Sequence, residues 1–257
     1  MGQIESSTIA KYLSNALLEK LNIRLKNVQI PQDCFLCGAA GQRAILCDPC
    51  EKNLPRLASA RCPICSLPSF DSAICGRCVK KPPAFEDSVA AFDYGFPVDV
   101  LIQQFKYSQQ LALGPWLAER LLERLSGMPL PEAALAMPLS RARLRERGFN
   151  QSLEIAKPVC RALGVPLLPH ACERTRDTES QTTLPWKERA KNVRGAFACN
   201  ENFAGKHVAI IDDVMTSGAS VNELAKTLKK SGAARVSAWV IARTRPESFQ
   251  PTQLDDV

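Results

Sequence analysis

The sequence predicts an α/β domain, a parallel sheet flanked by helices, standing behind a small cysteine-rich ribbon. Three observations carry this prediction. Eight of the 11 cysteines fall between Cys34 and Cys78 as four CxxC pairs. From Phe85 onward apolar strand-like runs alternate with amphipathic helical stretches, the order that builds a parallel sheet. One of those runs, VAII (208–211), ends in two aspartates, a Thr/Ser/Gly loop and a helix.

The 257 residues give room for one to two domains with a real core. No run of eighteen apolar residues occurs, so no membrane span is expected. The opening segment, MGQIESSTIAKYLSNALLEKL, has no uninterrupted apolar core and carries Glu5, Lys11, Glu19 and Lys20. An export signal is therefore not expected, and with cysteines in CxxC pairs the reading is a reducing, cytoplasmic compartment. The net charge of +7 permits an acidic partner without proving one.

Residues 1–30 read as an N-terminal amphipathic helix, with Ile4, Ile9, Leu13, Leu17, Leu21 and Leu25 mostly four apart. It packs on its own domain in the simpler reading and docks a partner in the other. Residues 31–82 hold an internal repeat. Cys34, Cys37, Cys47 and Cys50 recur 28 positions later as Cys62, Cys65, Cys75 and Cys78. Each CxxC points two sulfurs of one tight turn at the same ion, and two facing pairs complete a tetrahedral site with Zn–S distances of about 2.3 Å. Two structural zinc ions are expected, since a metal-free stretch of this length buries too little to fold and zinc supplies roughly 10–16 kcal/mol. Disulfides or a redox role are the alternatives. Sequential pairing within each unit is expected, and interleaved ligation stays open. The reading is a double zinc ribbon.

Residues 83–245 form the α/β domain. Strands are expected at 88–92, 135–138, 167–172, 208–211 and 235–242. Helices are expected within 98–125, broken at Gly114-Pro115, and at 151–163 and 220–231. Residues 174–194 are polar and aperiodic, long enough to serve as a lid. Residues 246–257 read as a flexible tail. Cys160, Cys172 and Cys199 lack CxxC partners and read as small core residues.

The segment VAIIDDVMTSGAS (208–220) is the candidate site. Asp212 and Asp213 fall at the carboxyl end of a strand, where open α/β sheets bind ligands. Paired carboxylates accept hydrogen bonds from vicinal ribose hydroxyls. Thr216, Ser217, Gly218, Ala219 and Ser220 offer hydroxyls and N–H groups at a helix N-terminus, a phosphate cradle. Acids beside an anion cradle suit a sugar phosphate. The plainer alternative is a turn in which Asp213 only caps the helix.

VAIIDDVMTSGAS resembles the phosphoribosyl pyrophosphate (PRPP) motif of type I phosphoribosyltransferases. The resemblance implies that Asp212 and Asp213 hold the ribose 2′- and 3′-hydroxyls and that Thr216 to Ser220 hold the 5′-phosphate. With QFKY (104–107), RERGFNQS (145–152), RTRDTESQTTLPWKERAKNVRGAF (174–197) and the leading CxxC pairs, the chain from about 34 to 244 resembles the ComF family. That resemblance implies a zinc ribbon ahead of a type I phosphoribosyltransferase-like domain, PRPP bound with Mg²⁺, and a role in competence, DNA uptake or use of external DNA.

The family pattern places a pyrophosphate loop near Arg147, Gly148 and Asn150, since guanidinium groups bind phosphate oxygens bidentately. Arg141 and Arg143 read as a solvated face. Arg174, at a strand end, is a further ligand candidate, and Lys106 is either that or a surface lysine. The zinc-loaded ribbon carries a formal charge of −2, so it is a poor magnet for nucleic acid. Single-stranded DNA, if a partner, is expected at the basic segments 141–147 and 174–194. Three functions compete: a PRPP-using transferase, a non-catalytic PRPP or nucleotide sensor that binds DNA or uptake proteins, and a scaffold with vestigial sites.

Overall fold

The structure, a computed structural model, describes residues 32–41, 44–55, 57, 60–108, 110–176 and 191–246. The helix expected at 4–25, residues 177–190 of the polar stretch and the tail from 247 lie outside the described residues. The chain divides into two compact units between Lys52 and Asn53.

The first unit contains one four-cysteine knuckle and the short helix α1 (Asp48–Lys52). Cys34, Leu46 and Cys47 are buried in it. A Gly38 N–H to Cys34 carbonyl bond of 2.8 Å closes its first turn.

The second unit begins with the other knuckle, which includes α2 (Gly76–Lys80). There follow β1 (Asp87–Asp93), α3 (Val98–Tyr107), α4 (Leu113–Leu125), β2 (Ala133–Ala136), α5 (Arg141–Arg147) and α6 (Gln151–Leu163). Next come β3 (Cys172–Arg174), β4 (Phe197–Cys199), β5 (His207–Met215), α7 (Ala219–Lys230) and β6 (Arg235–Arg243). The main sheet is parallel, in the order β1-β6-β5-β2. Its middle strands read HVAIIDDVM and RVSAWVIAR, near-continuous apolar runs of the kind that strands covered on both faces require. Helices α4 and α6 pack on each other and on the strands. Val221, Leu224, Ala225 and Leu228 of α7 share a core with Val208, Ile210, Val236 and Ala238. Each fully buried Val, Leu or Ile among them stabilises the fold by roughly 1.5–3 kcal/mol.

The knuckle is fastened along β1, the edge strand. Ser88 N–H donates to the Pro63 carbonyl at 3.1 Å, the Ser66 and Ser88 hydroxyls lie 2.8 Å apart, and Arg61 pairs with Asp93 at 2.7 Å. An open strand edge is an aggregation hazard, and the knuckle removes part of it.

Four expectations change. One helix ends at Tyr107 and the next starts at Leu113, ahead of Gly114-Pro115, and Pro115 sits in the first turn of α4, where its missing N–H is harmless. The 167–172 strand divides: Leu167 forms one parallel bridge to Ala134, while Cys172 starts an antiparallel pair with β4. The arginines at 141–147 form a helix rather than a loop, because Arg, Ala, Leu and Glu are all good helix formers. Ser140 caps it, accepting from Arg143 N–H at 3.4 Å, and Gly148 ends it. Strand β5 also runs on through both aspartates to Met215. Among the described residues, no helix is long and apolar enough to cross a membrane.

Gly232, between α7 and β6, has φ +94°, and a Cβ there would lie 2.9 Å from Ala204 Cα. Gly232→Ala is expected to cost about 2 kcal/mol or more, from the left-handed backbone and the backbone clash together. The check is the urea midpoint, which should fall; an unchanged midpoint would mean that the turn shifts without cost.

Candidate sugar-phosphate site and cysteine centres

A parallel sheet delivers all its carboxyl ends to one edge, and the candidate residues gather there. Asp212 and Asp213 end the apolar part of β5 and are 8% and 5% exposed. Asp212 Oδ1 accepts from Ser152 Oγ at 2.9 Å and from Asp213 N–H at 2.9 Å. Asp213 Oδ2 pairs with Lys106 Nζ at 2.8 Å, brought in by the last turn of α3. Burial first, and the neighbouring Asp213 charge second, push the Asp212 carboxyl up to about 7, against the opposing pull of Ser152 and Lys106. Two acids this close cannot both ionise cheaply in a buried place.

The turn after β5 passes through Gly218 at φ +76°, which caps α7. The left-handed backbone there suits glycine. It opens the helix N-terminus toward a cleft of 310 Å³ that reaches Asp212, Asp213, Thr216, Gly218, Ala219 and Ser220. Lys106, Arg147 and Arg174 line the same cleft. Arg147 donates to the Tyr107 hydroxyl at 3.2 Å and lies over its ring, 5.0 Å from the centroid. Arg174 lies 5.6 Å over Phe197. Thus nine of the predicted ligand residues meet in one place.

Three predicted residues do not. Gly148 ends α5. The Asn150 side chain caps α6, accepting from Ser152 N–H at 3.0 Å and Leu153 N–H at 3.3 Å, and its amide donates to the Met137 carbonyl at 3.1 Å. It ties α6 to the end of β2 and so sets Ser152 beneath Asp212. Ser217 Oγ accepts from Ala219 N–H at 3.3 Å and faces a neighbouring cavity.

Sequence reasoning missed several cleft residues. Arg143, read as a solvated face, lines the cleft because α5 turns it inward, while Arg141 is exposed and does not line it. Tyr94 and Thr244 follow the carboxyl ends of β1 and β6, a position that could have pointed to them. Gln151, 4% exposed, lines the cleft with an Oε1 that has no hydrogen-bond partner among the described residues.

Behind the turn that follows β5 stands Arg243, the last residue of β6 and 2% exposed. Its Nε donates to the Cys65 carbonyl at 2.7 Å. Its Nη1 donates to the carbonyls of Met215 at 2.7 Å, Thr244 at 2.9 Å and Thr216. Burial pulls its pKa down to about 10, so it stays charged at neutral pH.

The cysteines group sequentially, Cys34, Cys37, Cys47 and Cys50 in one cluster and Cys62, Cys65, Cys75 and Cys78 in the other, with all four sulfurs of each within 4.8 Å. Cys37 and Cys47 Sγ are 3.7 Å apart, and Cys65 and Cys75 Sγ 3.6 Å. A tetrahedron with Zn–S near 2.3 Å demands about that spacing. Each cluster also gives a sulfur a backbone donor: Cys47 N–H to Cys34 Sγ and Cys75 N–H to Cys62 Sγ, both 3.4 Å. Burial alone would raise the Cys34 thiol, but N–H groups of Cys37, Cys47 and Leu36 bring it down to about 6. The same balance, with Cys75, Cys65 and Ile64, brings Cys62 to about 7. The donor set fits zinc.

Comparison with known proteins agrees with this geometry. Residues 25–79 match a double zinc ribbon domain, and residues 150–255 match a phosphoribosyl transferase domain. The chain is therefore a zinc-ribbon protein with a type I phosphoribosyltransferase fold. It is 36% identical over 225 residues to the DNA utilization protein YhgH of Escherichia coli K12, covering 84% of this chain and 98% of that one. Competence protein F of Haemophilus influenzae is 34% identical over 208 residues, 77% of this chain and 90% of that one. Competence protein ComFC of Bacillus subtilis is 24% identical over 209 residues, 77% and 84% respectively. The chain belongs to the ComF family.

Two outcomes are expected. Metal analysis should return two zinc ions per chain and about one in Cys65→Ser; two in that variant would displace Cys65 from the ligand set. For Asp212, the folded pKa lies above the unfolded value, so the native state binds the extra proton between about pH 4 and 7. Stability should therefore fall as pH rises through that window, and Asp212→Asn should flatten the fall in urea titrations. Parallel wild-type and variant profiles would contradict the raised pKa.

Proposed function

We propose that the cleft binds PRPP with Mg²⁺ and that the protein acts in the use or uptake of external DNA. The observation that carries the first part is the juxtaposition of a buried carboxylate pair with an open helix N-terminus across 310 Å³. In this reading Asp212 and Asp213 accept from the ribose 2′- and 3′-hydroxyls, while Thr216, Gly218, Ala219 and Ser220 hold the 5′-phosphate. Arg147, Arg174 and Arg143 meet the pyrophosphate. Lys106, paired with Asp213 at 2.8 Å, compensates that acid's charge until a ligand's hydroxyl arrives. Magnesium is a hard cation served by oxygen donors, which Asp213 and Thr216 supply, and when bound it neutralises pyrophosphate charge. The DNA part rests on the names of the relatives, which concern DNA utilization and competence. The cytoplasm, where PRPP is available, is the matching location.

Whether the bound sugar phosphate is turned over separates two versions of this function. Transfer to a nitrogen acceptor would release pyrophosphate; a sensing module would bind PRPP and release none. The sensor version draws on the surface about the cleft, where Arg147 lies on the exposed ring of Tyr107. Single-stranded nucleic acid stacks on such surfaces.

Calorimetry with PRPP and Mg²⁺ should show binding to the wild type and none to the Asp212→Ala, Asp213→Ala double variant. Equal heats for the two proteins would remove the site. Pyrophosphate assayed in the same samples decides between transfer and sensing.

A further inference from the structure

The phosphate turn is a partition with a cavity on each side. Thr216 and Ser220 line only the cleft, and Ser217 lines only a second cavity, while Met215, Gly218 and Ala219 line both. The second cavity measures 540 Å³ against 310 Å³ for the cleft, within the range of small-molecule sites. Its chemistry is different. Pro82, Pro83, Phe85 and Met215 give it apolar walls, and Arg77, Lys80 and Lys81 bring cations from the knuckle helix α2 and the residue after it. Among the described residues that line it, there is no carboxylate, whereas the cleft has two. With Arg243, these cations outweigh the formal −2 of a zinc-loaded four-thiolate cluster beside them. Asn222 Oδ1 accepts from Ala84 N–H at 2.7 Å, which fixes that amide with its NH₂ as the remaining donor.

Apolar walls with a one-sided positive rim fit a flat ring joined to a phosphate, and fit a bare sugar phosphate poorly. We propose that this cavity binds a nucleoside monophosphate, its ring against Phe85, Pro82 and Pro83 and its phosphate against Lys80, Lys81 and Arg77. Because Met215, Gly218 and Ala219 face both cavities, occupancy of one biases the shape of the other. The coupling rests on reading the cleft as the PRPP site; the binding itself does not.

The test uses the full zinc-loaded chain and calorimetry with adenosine and thymidine monophosphates, the corresponding nucleosides, and inorganic phosphate. Lys80 and Lys81 are exposed, so Lys80→Glu, Lys81→Glu should fold, which circular dichroism and zinc content verify. Monophosphate binding should persist in Asp212→Ala, Asp213→Ala and weaken about tenfold or more in the lysine variant. Saturating monophosphate should change wild-type PRPP affinity about fivefold. Binding lost in the aspartate variant would place the nucleotide in the cleft instead and overturn the proposal. Binding indifferent to the lysines, or inorganic phosphate binding as tightly as the nucleotide, would also overturn it. Unchanged PRPP affinity at saturation would overturn the coupling. Absence of any PRPP heat strikes only the reading of the cleft, and the monophosphate arms still decide the second site.

Discussion

One buried guanidinium holds the functional edge of this protein together. Arg243 ends β6 inside the molecule and spends its donors on backbone carbonyls from three separate places: Cys65 of a zinc knuckle, Met215 and Thr216 where β5 turns toward α7, and Thr244. A buried charge is costly unless hydrogen-bonded, and bonds to a charged donor are each worth about 1.5–3 kcal/mol. Once the cation is there, the carbonyls have little reason to point elsewhere. The turn that follows β5 is thus held through its carbonyls by one side chain.

The acid pair depends on a second chain of contacts that begins far from it. Asn150 fixes the start of α6 to the end of β2, and Ser152, two residues on, reaches Asp212. Lys106 arrives from α3 to meet Asp213. The pair is therefore held by one neutral donor and one cation. Burial and the adjoining Asp213 charge keep Asp212 from ionising readily, and the single neutral donor Ser152 offsets them only in part.

What the sequence revealed and what it hid divide along physical lines. The CxxC repeat and the strand that ends in Asp212 and Asp213 were legible because their chemistry is local: spacing along the chain fixes spacing in space. The helix at 151–163 was legible for the same reason, since its apolar period is written in consecutive residues. The arginine helix was hidden because alternating charge over seven residues suits a solvated loop as readily as a helix. Gln151, Arg143 and Tyr94 were missed because only the tertiary arrangement turns them into the cleft. Asn150 looks the same along the chain whether it caps a helix or meets a ligand, and only the fold shows its side chain capping α6. Nothing in the neighbours of Arg243 along the chain foretells four carbonyls converging on it.

The fastening of the second knuckle along β1, through Ser66, Ser88 and the Arg61–Asp93 pair, bears on how such chains can be cut and shuffled. Two cysteine quartets that look like twin beads on a string are not equivalent parts. One falls in a compact unit of its own and the other is built into the sheet's margin. A chain restarted at Phe85 would keep β1 but leave that margin bare where Arg61, Pro63 and Ser66 now meet it.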